Sequence, residues 1–105
     1  MNKSWTLEEG IEVARLLEIH IRRQYNHYHT AIGGSVLHKG LSQKDLDIFI
    51  YPHKTSQHDR RYLEDKFREF GLVWKRDCDH NIYGDAKEVI ECEYKGKRID
   101  LFLLQ

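Results

Sequence analysis

From Ser4 to about Tyr28 the apolar residues Leu7, Ile11, Ala14, Leu17, Ile21 and Tyr25 recur at intervals of three or four, the spacing of one helix face. Val13, Leu16 and Ile19 widen that face, so the helix is expected to pack broadly against a sheet. Ser4 or Thr6 can cap its start, and Glu8 and Glu9 fall in the first turn, where the helix dipole favours acids. Burial of each aliphatic side chain contributes about 1.5–3 kcal/mol, which accounts for the stripe without a binding partner. Strands are expected over 29–32 and 45–51, the second closed by Pro52, with a short helix over 36–39 between them. A second helix over about 56–70 places Leu63, Phe67 and Phe70 on one side and stops at Gly71. Residues 72–75 form a short strand, 77–85 a polar loop and 87–94 a strand, and Tyr94-Lys95-Gly96-Lys97-Arg98 turns into a final strand as a hairpin. This order predicts an α+β fold, a mixed β-sheet with helices packed mainly on one face. With no repeat, linker or low-complexity segment, residues 1–105 are expected to form a single domain.

Two of these strands carry acids inside apolar runs. In Asp45-Leu46-Asp47-Ile48-Phe49-Ile50 the two aspartates project to one face, and Leu46, Ile48 and Ile50 to the other. Carboxylates at that spacing can converge on a hard cation, or on two cations about 3.5–4 Å apart. Without a cation they repel each other and lose hydration, which raises at least one pKa. The alternative is a pair at a strand end, facing water. A third acid lies in Arg98-Ile99-Asp100-Leu101-Phe102, where burial demands a partner. If this strand pairs with the one carrying Asp47, the three acids share one site; otherwise Arg98, on the same face, is the obvious salt-bridge partner of Asp100. Upstream, Gly33-Gly34-Ser35 forms a turn whose backbone N–H groups can approach an anion, or else an ordinary turn ending a strand.

Gly34-Ser35, nine intervening residues, Asp45-X-Asp47 and a later strand aspartate together resemble the nucleotidyltransferase superfamily with the DNA polymerase β palm. Ile32-Gly33-Gly34-Ser35-Val36 and Lys44-Asp45-Leu46-Asp47 look like the head of tRNA nucleotidyltransferases and poly(A) polymerases, and Lys39-Gly40 falls near the Arg-Gly of the minimal members. The resemblance covers residues 28–52 closely and 88–104 more loosely. It implies that Gly33, Gly34 and Ser35, with Lys39, hold the triphosphate of a nucleotide, ATP above others. It also implies that Asp45, Asp47 and Asp100 are catalytic and bind magnesium, two ions in all, and that Asp100 activates the acceptor hydroxyl. Minimal members are often the antitoxin half of a toxin–antitoxin pair and adenylylate the toxin. A protein partner or a homo-oligomer is therefore expected, and the acceptor is left open among protein, RNA and small molecule. Because the sequence stops at Gln105, acceptor recognition is expected from this domain, a second copy or another protein. The rival expectations are a catalytically weak palm acting as a partner-binding module, and a nucleotide sensor.

Composition narrows the classes further. A net charge of zero at pH 7 gives no broad basic surface for nucleic acid. No apolar run approaches the roughly 20 residues of a membrane span, and no signal peptide opens the chain, so a cytoplasmic protein is expected. Cys78 and Cys92 lack CxxC spacing and are expected to be reduced. Seven histidines, including His27 and His29, complete no zinc set. His38, close to the glycine turn, is a candidate phosphate contact or a solvent-facing residue, and Tyr51, His53 and Lys54 are candidates for the cleft lining. Asp77, Asp79 and Asp85 are expected to be solvated.

Overall fold

The computed structural model describes residues 4–22, 28–33, 40–42, 45–52, 60–78 and 88–104. The expected short helix over 36–39, the start of the second helix and most of the polar loop lie outside them. The elements run β1 (Trp5–Thr6), α1 (Leu7–Ile21), β2 (Tyr28–Gly33), β3 (Leu41–Ser42), β4 (Asp45–Pro52), α2 (Arg60–Phe70), β5 (Val73–Cys78), β6 (Glu88–Tyr94) and β7 (Lys97–Leu103).

α1 starts where its sequence says it should. The Thr6 hydroxyl accepts from the Glu9 N–H at 3.2 Å and the Glu9 carboxylate accepts from the Thr6 N–H at 2.9 Å, a reciprocal box that satisfies two otherwise orphaned donors. The helix ends at Ile21, short of the expected boundary. Arg22 is already extended, and the Tyr62 hydroxyl donates to the Ile21 carbonyl at 2.7 Å, satisfying an acceptor the helix no longer pairs. Tyr28, expected in the helix, opens β2 and is buried in the core. α2 stops at Gly71 (φ 108°), where the Leu72 N–H reaches back to the Phe67 carbonyl at 3.0 Å.

The five-stranded sheet has the order β2-β4-β7-β6-β5, with β4 and β7 parallel and the other pairs antiparallel. Leu46, Ile48 and Ile50 of β4, Ile99, Leu101 and Leu103 of β7, and Ile90 and Cys92 of β6 are fully buried against Leu17, Ile21, Leu63 and Phe67 of the helices. Both helices thus cover one face. The opposite face is held by a smaller cluster of Val89 and Phe102 with Phe49 and Leu104 packed on it.

Three expectations change. Ile11, Leu16 and Ile19 are 51%, 39% and 58% exposed. A helix on a flat sheet buries one arc, here Gly10, Val13, Ala14, Leu17 and Ile21; Ile11 and Leu16 flank that arc and Ile19 lies behind it. β5 runs on to Cys78, through part of the expected loop. As an edge strand it tolerates charge, with a bulge between Trp74 and Arg76 and an Arg76–Glu91 ion pair at 2.9 Å to the next strand. The third change is a ribbon formed by β1 and β3, anchored by the Trp5 indole N–H donating to the Arg98 carbonyl at 2.8 Å.

Candidate active site

Alternation in β4 and β7 sends Leu46, Ile48, Ile50, Ile99, Leu101 and Leu103 to the described helices, and Asp45, Asp47 and Asp100, with Phe49 and Phe102, to the opposite face. Because the strands are parallel and in register, the residues there form rows across the sheet. Asp45 lies beside Arg98, which faces Glu93. Gly33 lies beside Asp47, followed by Asp100 and Glu91. Ala31 lies beside Phe49, followed by Phe102 and Val89. Asp45, Asp47 and Asp100 each offer a carboxylate oxygen within 4.8 Å of the others, and among the described residues no other group of His, Cys, Asp and Glu converges in this way. Asp100 is buried at 4% exposure, and Asp45 and Asp47 are partly buried.

This geometry makes the cluster electrostatically unfavourable without a cation. Burial, followed by the charges of Asp45 and Asp100, pushes the Asp47 carboxyl up to about 7, against a smaller opposing effect of Arg98. Burial also raises Asp100, opposed by a forked hydrogen bond from Arg98: Nε to Oδ1 at 3.0 Å and Nη2 to Oδ2 at 3.1 Å. That bond in turn holds Arg98 firmly in its charged form. The two expectations for Asp100 are therefore both met in geometry, since it sits beside Asp47 and also pairs with Arg98. An all-oxygen, partly dehydrated donor set of this kind fits a hard divalent ion such as magnesium.

Gly33 ends β2 directly opposite Asp47, and a Cβ there would come within 2.6 Å of the Phe49 ring, which stacks on Phe102 with centroids 4.6 Å apart. A side chain at position 33 is thus excluded by an aromatic ring. Gly34, Ser35, His38, Lys39, His53 and Lys54 lie outside the described residues. Tyr51 is at the far end of β4 from the acids, its ring 5.4 Å from that of His29. The histidine pair splits: His27 is outside the described residues and His29 approaches Glu18 at 4.0 Å. Of the two cysteines, Cys92 is fully buried in the core. The sequence analysis missed Glu91, whose place beside Asp100 depends on the β6–β7 register, although the alternation of 88–94 carried half of that signal.

No family model matches the sequence, and no curated protein matches it. Among solved structures the chain is similar to that of a cytoplasmic RNA terminal U-transferase, with a TM-score of 0.64 and 14% identity, over 92% of this chain and 28% of the other. The chain thus shares its fold with the matched part of that structure. At this identity the likeness is one of fold, and the chain spans little more than a quarter of that enzyme's length. No helix among the described residues is long and apolar enough to cross a membrane.

Proposed function

We propose that this protein is a magnesium-dependent nucleotidyltransferase that moves a nucleoside monophosphate from a nucleoside triphosphate to an acceptor hydroxyl. The observation that carries this is the convergence of Asp45, Asp47 and Asp100 on the sheet face opposite the described helices, in a chain whose fold is similar to that of a terminal U-transferase. The acceptor oxygen attacks the α-phosphorus, the bond from that phosphorus to the oxygen bridging to the β-phosphorus breaks, and pyrophosphate leaves. Bound magnesium, in one or two ions, would neutralise the triphosphate and acidify the acceptor hydroxyl. Asp45, Asp47 and Asp100 would hold the cations. Asp100 orients the hydroxyl and takes its proton. The turn of Gly33, Gly34 and Ser35, with Lys39, holds the triphosphate, of which ATP is the first candidate. Acceptor recognition is left open among this domain, a second copy of the chain and a partner protein.

Pyrophosphate release with magnesium and each of the four ribonucleoside triphosphates tests the proposal. Asp47→Asn is expected to lower the rate at least about a hundredfold, a loss of metal-held charge stabilisation of several kcal/mol. Equal pyrophosphate release by wild type and variant sinks the mechanism.

A further inference from the structure

The acid face carries a cation of its own. Both oxygens of Asp100 are engaged by the Arg98 guanidinium, and Arg98 Nη2 also lies 3.6 Å from Glu91 Oε1. Asp45 and Glu93 flank Arg98 in register on either side. The Asp100 side chain is 6% exposed and that of Arg98 is 39% exposed, so the acid is fixed while the base has room to turn. Glu91 faces Asp100 directly across the β6–β7 pair and is already held by Arg76 Nε at 2.9 Å. It is a second, stationary carboxylate within one side-chain rotation of Arg98. A guanidinium fork and a divalent ion compete for the same carboxylate lone pairs and repel each other.

We infer that Arg98 is the built-in counter-cation of the acid cluster: it holds Asp100 in the metal-free protein and shifts to Glu91 when a divalent ion binds, so that it sets the ion's affinity. This rests on the proposed function in one respect, that the cluster binds a cation. Arg98 is a positioning residue acting through Asp100, and Glu91 is the acceptor that makes its release inexpensive.

Mn2+ binding without nucleotide, followed by isothermal titration and by the resonance of free Mn2+, tests this, with thermal melting of each variant to confirm folding. Arg98→Gln is expected to bind Mn2+ on the order of tenfold more tightly, the effect of removing one positive charge beside a divalent ion even at the water limit. Arg98→Lys keeps the charge but loses the fork, and is expected to fall between wild type and Arg98→Gln. Glu91→Gln is expected to weaken binding, and that weakening is expected to shrink sharply in the Arg98→Gln background, because the acceptor has no cation left to receive. Unchanged or weaker binding in Arg98→Gln, or strictly additive effects of the two substitutions, overturns the inference while the cluster stands. If Arg98→Gln does not fold, Arg98→Lys decides: affinity equal to wild type overturns it. Binding that Asp47→Asn leaves intact, or no saturable binding in any variant, overturns the site and the inference together.

Discussion

Asp47 lies between Gly33 and Asp100 on a sheet face where its carboxylate gains two acidic neighbours and loses water. Its pKa of about 7 in the folded protein, against 3.8 ordinarily, means that the folded state holds a proton the unfolded state has lost between those values. The associated stability is complete below about pH 4 and disappears as pH rises through about 7. In a chelating buffer, thermal melts are therefore expected to show a midpoint that declines over this window, and Asp47→Asn is expected to flatten the decline. At pH 8 that variant should melt a few degrees above the wild type. Added Mg2+ should raise the wild type and leave Asp47→Asn nearly unmoved. A variant that melts lower than wild type at pH 8 without metal contradicts this electrostatic account. Asp45 and Asp47 were legible in the sequence from strand alternation and their spacing after Gly34-Ser35, and Asp100 from its place inside an apolar strand run. Arg98 was legible only as an alternative partner of Asp100. That Asp100 lies beside Asp47 follows from the parallel β4–β7 register, which no local pattern encodes, whereas its pairing with Arg98, two residues away on the same strand face, follows from alternation.

Among the elements, β4 and β7 alternate acid and apolar residues only around their acids, since Phe49 and Phe102 put apolar rings on the same face. β4 reads acid, apolar, acid, apolar because one of its faces is core and the other is the site, so its extent was evident from sequence. α1 was harder, because a 15-residue helix has more apolar residues than one sheet face can cover, and the sequence does not say that Ile19 ends up behind. β5 was truncated in prediction because its charged residues look like loop unless the edge position and Glu91 are known. Two element-level tests follow. Gly33→Ala places a methyl group against the Phe49 ring and is expected to destabilise the protein by about 1–3 kcal/mol in urea unfolding. Phe49→Leu in the same chain should recover much of that loss, whereas an equal loss in both backgrounds contradicts the steric explanation. Tyr62→Phe removes the hydroxyl that caps the Ile21 carbonyl and is expected to lower stability by about 0.5–1.5 kcal/mol, read as a shift in urea midpoint at constant slope.

At the scale of the molecule, the described helices and their core lie on one side of the sheet and the acids on the other, so the main core and the candidate site draw on different faces of the same strands. That division lets β4 and β7 carry charged residues without interrupting the core. Fold class could be inferred from sequence because alternation and helical spacing mark most elements, whereas the acceptor of the proposed reaction has no signal in the acids or in Gly33-Gly34-Ser35, and the similar U-transferase chain is more than three times as long as the part matched here. The most direct test of the central claim is to follow both ends of the nucleotide in one experiment, with ATP labelled at the α- or the γ-phosphate, magnesium, and the protein alone or with cell extract as a source of acceptors. The account predicts that α-label becomes covalently attached to acceptor while γ-label appears only in pyrophosphate, and that Asp47→Asn abolishes both. Transfer of γ-label, release of single phosphate, or label transfer that survives Asp47→Asn would contradict it.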